Sequence, residues 1–168
     1  MEFLRRSDEK EAAETFRRAE LASLRFREEI LAGRRGWRIG GLFDGLPDDL
    51  DWHRVGLAPD EVLAIRYIDW DWWLWVSDGT RSPREAARRI HAGSIDGVDA
   101  ESLCPIAARL ASDDPPPELI AVAKPDDPLV LVEGHVRLTS YALYPEYLPP
   151  RLEILLGLSE RADEWSCY

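Results

Sequence analysis

Four residues at one end of an apolar run could bind and act on an anion. The run is residues 129–132, Glu133 and Gly134 follow it, and a polar, helix-like segment then begins with His135 and carries Arg137. A strand that passes into a helix through a glycine leaves backbone N–H groups unpaired at the positive end of the helix dipole. With an imidazole and a guanidinium beside those groups, the pattern predicts a phosphate site.

A second helix start lies upstream of this junction. Ser82 and Pro83, followed by Glu85, match an N-cap, a first-position proline and a capping box. Arg81 and Arg84 flank that start, where positive side chains oppose the helix dipole unless an anion is also bound. We therefore expect either that both arginines contact a bound phosphate or that they pair with surface acids.

The order of the predicted helices and strands that position these residues indicates an α+β domain with a small mixed sheet and flanking helices. A turn at residues 124–128 makes the strands on either side of it antiparallel. Helices are predicted from Pro83 to about Ala92, from Asp99 to Ser112, from Val136 to about Tyr147 and from Ser159 to Trp165, and strands from Glu118 to Val122, from Leu129 to Val132 and from Arg151 to Leu156.

In the tryptophan-rich segment, residues 64–76, alternate residues would fall on opposite sides of an extended chain, with mainly apolar residues on one side, and this pattern predicts a further strand. Aromatic residues in strands mostly belong to a core or an interface, so the segment predicts buried packing or an aromatic dimer surface. A platform for a base or a sugar is the alternative. Residues 36–60, which contain Gly-Gly, Pro and consecutive Asp residues, predict turns and loops, and regular structure resumes around residues 60–62.

Residues 1–36 are predicted to form an N-terminal amphipathic helical arm, with its helix from Ser7 to Leu31, and residues 37–168 a single domain. Eight acids and nine bases alternate in the arm, so the excess of acids belongs to the domain. The arm either packs its apolar stripe on the domain or on a second copy, or covers the site. A homodimer through this helix or through the tryptophan-rich strand is therefore one expectation.

Composition excludes several classes of protein. The 168 residues carry a formal net charge of −11, which repels a phosphate backbone and disfavours nucleic acid, but permits a small anion in a local basic pocket. Two cysteines, Cys104 and Cys167, and three histidines are too few for a disulfide framework or a zinc site. Without a bilayer-length apolar run or a signal-peptide core, we expect a cytoplasmic protein that does not contact membranes.

The order helix, strand, tight turn, strand ending in Glu-Gly-His-x-Arg, helix, strand resembles the ParB/sulfiredoxin superfamily, in which a strand ends in Gly-x-x-Arg at the start of a helix. Here the motif is Gly134-His135-Val136-Arg137, and the resemblance covers roughly residues 75–157. The segment from Asp78 to Arg84 is similar to the family's first segment, where an arginine approaches the ligand. Residues 37–168 are thus identified as a ParB/sulfiredoxin-like nucleotide-binding domain.

This resemblance implies that ATP or another nucleoside triphosphate is bound with its phosphates at the motif. The implied nucleotide-binding residues are Gly134, His135, Val136, Arg137, Arg81, Arg84 and Thr139. Phosphoryl transfer also needs a bridging metal and a carboxylate that orients or deprotonates the acceptor. Glu133, His135 and Asp78 are the candidate catalytic residues, and Glu133 is the candidate ligand of Mg²⁺.

Departures from the family separate three hypotheses. Sulfiredoxins place a catalytic cysteine where this chain has His135, so their redox chemistry is not expected here. The partition proteins continue into a helix-turn-helix module, whereas this chain ends eleven residues after Gly157, so clamp loading on DNA is not expected either. The acidic position 133 is similar to the Asp-Gly-His-His-Arg motif of kinase-like members. The first hypothesis is therefore an ATP-dependent kinase of a small-molecule acceptor, with the tryptophan-rich strand and Trp165 shaping the acceptor pocket. A nuclease or nucleic-acid-binding factor, and a non-catalytic nucleotide sensor or partner protein, are the alternatives.

Overall fold

The structure, a computed structural model, describes residues 42–98, 100–112 and 118–168. Its elements confirm an α+β fold, a four-stranded mixed sheet with flanking helices. The strands are β1 (Asp51–Leu57), β2 (Leu119–Ala123), β3 (Val130–Glu133) and β4 (Leu152–Leu158), and the helices are α1 (Pro59–Val62), α2 (Asp71–Val76), α3 (Pro83–His91), α4 (Ala100–Ser112) and α5 (His135–Leu143), with 3₁₀ turns at Pro145–Tyr147 and Ala162–Glu164. The predicted N-terminal arm lies outside the described residues.

The sheet has the strand order β1-β4-β2-β3. β4 pairs antiparallel with β1 and parallel with β2, and β2 pairs antiparallel with β3 across the turn at residues 124–128. Beside β3, Arg66 makes an isolated parallel bridge to Val130, with its N–H donating to Leu129 O and its carbonyl accepting from Leu131 N. The junction between β3 and α5 therefore lies at one side of the sheet, next to the segment that leads into α2.

Side chains at every second position of β2 and β4 enter the core, as the two-residue period of a strand requires. These are Leu119, Ala121 and Ala123 of β2 and Leu152, Ile154 and Leu156 of β4. α3 and α4 both contact α5, which buries Leu138 and Tyr141 in the same core. Burial of a side chain of leucine size stabilises the fold by roughly 1.5–3 kcal/mol, so Leu138 and Tyr141 hold α5 firmly on the core.

Several predicted elements are confirmed within a residue or two. They are the helices α3 and α4, the strands β2, β3 and β4, and the turn at residues 124–128. Ser82 caps α3 as predicted, because its Oγ accepts from Glu85 N–H at 3.4 Å. The reciprocal half of the capping box is absent: the Glu85 carboxylate accepts from Arg88, and the Ser82 N–H donates to Thr80 Oγ1.

Four secondary-structure predictions are wrong. The tryptophan-rich segment is not a strand: after an extended Trp70 it forms α2, with Trp73 and Val76 turned inward. Residues 36–60 are not all loop, because β1 lies within them. The helix after Gly134 ends at Leu143, not near Tyr147, and the predicted terminal helix is only a 3₁₀ turn.

Among the described residues, no helix has both the length and the apolar character that a membrane span requires.

Candidate functional site

Gly134 forms the junction between β3 and α5 and is the N-cap of that helix. Its φ of 107° and ψ of 20° lie in the left-handed region, and its carbonyl accepts from Leu138 N–H at 2.8 Å. A Cβ atom built on Gly134 would overlap Leu119 Cδ2 of the neighbouring strand. Both the backbone conformation and the lack of space therefore require glycine at this position.

Glu133 and Arg137 face each other across the junction. Arg137 Nη2 donates to Glu133 Oε1 at 2.9 Å, and the two side chains are only 17% and 12% exposed. The guanidinium thus remains at the first turn of α5, where the sequence predicted it, and the carboxylate compensates a positive charge that the helix dipole alone would disfavour.

His135 occupies the first position of α5, but its side chain is buried, with 8% of the residue exposed. Its ring stacks on Trp73 with centroids 4.7 Å apart and lies 5.9 Å from Tyr67. No hydrogen-bond partner of Nε2 is found among the described residues. Burial, helped by the charge of Arg137, lowers the pKa of His135 to about 3, so the imidazole is neutral at pH 7.

The hydroxyl group of Thr139 is committed to the protein. Its Oγ1 donates to His135 O at 2.8 Å and lies 2.7 Å from Tyr67 Oη, which donates to it in turn. Burial raises the pKa of Tyr67 above its ordinary value. These hydrogen bonds tie the first turn of α5 to Tyr67. The Thr139 hydroxyl therefore supports the structure of this turn and is not available to a ligand.

Arg81 is held by backbone carbonyl groups. Its Nε donates to Tyr67 O at 2.7 Å, and its Nη1 and Nη2 donate to Tyr168 O at 2.7 Å and to Cys167 O at 3.4 Å. The residue itself has a φ of 60°, and its N–H donates to Ser77 Oγ. These bonds join the segment before α3 to the last residues of the chain and leave the guanidinium turned toward them.

We expect Arg81→Ala to lower the free energy of unfolding by about 2–4 kcal/mol, because three carbonyl groups lose a charged donor. Chemical denaturation monitored by circular dichroism measures this loss. Arg88→Ala is the matched control, since it removes an arginine from an exposed ion pair with Glu85 and should change stability by less than about 1 kcal/mol. Equal stabilities of the two variants would contradict a structural role for Arg81.

The remaining predicted site residues lie on the surface or in the core. Arg84 Nη2 donates to Asp60 Oδ1 at 2.6 Å in an exposed pair, which is weak enough to exchange for another anion. Asp78 occupies an exposed turn after α2 with a φ of 53°. Trp165, predicted to shape an acceptor pocket, is 2% exposed and belongs to the core.

The structure thus brings Glu133, Gly134, His135 and Arg137 together, and it shows no contact between Asp78 and this junction within the described residues. Tyr67 and Trp73, which enclose the imidazole, were not singled out from the sequence. The placement of Trp73 depends on α2 being a helix, whereas Tyr67 lies in the segment before α2. No local signal near residue 135 could have identified either residue. In residues 42–98, 100–112 and 118–168, no group of three or more His, Cys, Asp or Glu side chains could hold a metal ion.

Comparison with known proteins adds no relative: no protein-family model, curated protein or solved structure matches the chain.

Proposed function

We propose that the junction between β3 and α5 binds the phosphates of ATP or another nucleoside triphosphate, and that the protein transfers a phosphoryl group to a small-molecule acceptor. The observation that carries the proposal is the start of α5 at a left-handed glycine, with the Arg137 guanidinium in the first turn. The ParB/sulfiredoxin-like assignment of the fold, which rests on the Gly-x-x-Arg motif and its neighbouring elements, belongs to this proposal.

Backbone groups supply the first contacts of the proposed site. No hydrogen bond from the N–H groups of His135 or Val136 is found in the part of the chain that the structure describes. These groups lie at the positive end of the α5 dipole and can donate to phosphate oxygens. The role of His135 is then carried by its N–H, because its imidazole is buried in the aromatic stack.

Arg137 supplies the charge. When phosphate replaces the Glu133 carboxylate as its acceptor, the guanidinium can form two parallel bonds to phosphate oxygens. Arg84 can leave Asp60 at little cost and add a second cation, whereas Arg81 would have to break three bonds to backbone carbonyls. We therefore propose Arg137 as the main phosphate ligand and Arg84 as a secondary one.

Glu133 is the carboxylate beside the proposed phosphate position. Mg²⁺ in nucleotide sites is held through one or two carboxylates together with substrate phosphates, so this residue fits the ion as a single protein ligand. When bound, Mg²⁺ neutralises charge on the phosphate oxygens. Glu133 can alternatively orient or deprotonate the hydroxyl group of the acceptor.

Substitution of Arg137 tests the phosphate site. We expect ATP with Mg²⁺ at a hundred times its dissociation constant to stabilise the wild-type protein by roughly 2.7 kcal/mol. Arg137→Ala should weaken ATP binding by about 1.5–3 kcal/mol, or roughly tenfold to a hundredfold, because a charge-assisted contact is lost. Isothermal titration calorimetry with ATP, CTP and GTP measures both the preferred nucleotide and the loss.

Two further variants separate the site from general effects. Arg137→Lys keeps the charge near Glu133 but not the forked geometry, so its affinity should lie between those of the wild type and Arg137→Ala. Arg88→Ala should bind nucleotide as the wild type does. Unchanged affinity in Arg137→Ala would contradict the proposed site, and nucleotide binding without release of ADP in the presence of acceptors would identify a sensor in place of a kinase.

A further inference from the structure

The exposed face of α2 carries two tryptophans that the proposed nucleotide site does not use. Among the described residues, the large hydrophobic side chains with extensive exposure are Trp72 at 47%, Trp75 at 44% and Val136 at 50%. The two indole rings lie side by side, with centroids 5.1 Å apart and planes inclined at 47°. Trp73 and Val76 pack the opposite face of α2 on the core, so the helix that carries the exposed pair is held in place.

Two exposed carboxylate residues neighbour the indole pair in the chain. Asp71 is the first residue of α2, four residues before Trp75, and Asp78 lies in the turn after the helix, three residues beyond Trp75. Of the nearby arginines, Arg88 pairs with Glu85, and Arg89 donates to the carbonyl groups of Trp75 and Val76 and keeps its positive charge. The exposed indole pair therefore has one exposed carboxylate residue before it and one after it along the chain.

We propose that this acidic aromatic face, formed by Asp71, Trp72, Trp75 and Asp78, binds a basic segment of a partner protein. An indole ring is the best aromatic partner for an arginine or lysine cation, and tryptophan and arginine are the residues that most often dominate protein interfaces. The flanking carboxylates can accept from the same cations, and the net charge of −11 favours their approach. The carboxylates would repel the phosphates of a nucleotide or a nucleic acid.

A defined basic peptide tests the proposal on the full-length chain. The probe is acetyl-(Arg-Gly)₅-amide with a fluorescent label, and its affinity is measured by anisotropy at low and physiological salt. We expect Trp72→Ala combined with Trp75→Ala to weaken binding about tenfold or more, as loss of interface anchors does. Asp71→Asn combined with Asp78→Asn should weaken binding severalfold, with the difference shrinking as salt rises.

The matched control is Asp96→Asn combined with Glu146→Gln, which removes the same charge from exposed positions off this face. It should bind within about twofold of the wild type. Peptide binding that survives the tryptophan substitutions, or that falls equally in the control, would overturn the proposal, because only general attraction would remain. If the tryptophan variant lost ATP affinity but kept its peptide affinity, the proposal would also be overturned, and the indole rings would be identified as a stacking surface for the nucleotide base.

We expect unfolding curves to show that both tryptophan substitutions leave the fold intact, because these side chains are nearly half exposed. The proposal does not depend on the nucleotide site. Loss of peptide binding in the tryptophan variant with unchanged ATP affinity would support it, and the Arg137→Ala variant should retain the peptide affinity of the wild type.

Discussion

We expect the Gly134→Ala substitution to lower the free energy of unfolding by about 2–5 kcal/mol. An L-residue in the left-handed conformation costs roughly 1–2 kcal/mol, and an extra carbon in a packed site costs roughly 1–3 kcal/mol more. Both costs apply here, because the φ is 107° and the added methyl group would overlap Leu119 Cδ2. Urea denaturation of the purified variant measures the loss.

Gly79→Ala separates the two costs. Gly79 also has a positive φ, of 75°, but nothing lies within 4 Å of a Cβ at that position. It should therefore lose only the roughly 1–2 kcal/mol of the backbone conformation. A Leu119→Ala, Gly134→Ala double variant should be less destabilised than the sum of its single variants, because the smaller side chain removes the overlap. If Gly134→Ala and Gly79→Ala were equally stable relative to the wild type, the overlap with Leu119 would play no part.

His135 makes the stability of the folded protein depend on pH. Its folded-state pKa of about 3 lies below the ordinary value of 6.5, so the unfolded chain binds the proton more strongly. The stability that the neutral imidazole contributes is complete above about pH 6.5 and is lost as the pH falls toward 3. Relative to His135→Phe, which keeps an aromatic ring in the stack, the wild type should lose about 1.4 kcal/mol per pH unit in that window.

Denaturation series at pH 7, 6, 5 and 4 measure this difference. Leu131→Ala is the control for destabilisation by itself, because it opens the same core at a fully buried position without removing a titratable group. Its stability should run parallel to that of the wild type across the series. Parallel curves for the wild type and His135→Phe would show that the imidazole takes up its proton without leaving the stack.

Local signals account for the elements that the sequence predicts well. Ser82-Pro83 starts α3, the turn at residues 124–128 joins two apolar strands, and Gly134 ends one element and begins another. Each of these features depends on residues within a few positions of one another, so the pattern of residue types is sufficient. The same locality explains why Glu133 and Arg137 lie on either side of Gly134 at this junction.

Non-local packing decides what the sequence predicts poorly. β1 has mixed polar residues and a glycine, and it becomes a strand because β4 pairs with it along its whole length. In the tryptophan-rich segment apolar residues occupy almost every position, so a strand period and a helix period fit equally well. The burial of His135 and the bonds of Arg81 depend on residues dozens of positions away in the chain, which no spacing rule brings together.

The bridge beside β3 has a consequence for assembly. Because Arg66 donates its N–H to Leu129 O and accepts from Leu131 N–H at its carbonyl, the outer backbone groups of β3 are already paired there and cannot template another chain. β1, at the opposite end of the strand order, places Asp51, His53 and Arg54 along an exposed edge, and such charges discourage growth of the sheet by strand addition. Protection against aggregation is thus built into both margins of the sheet.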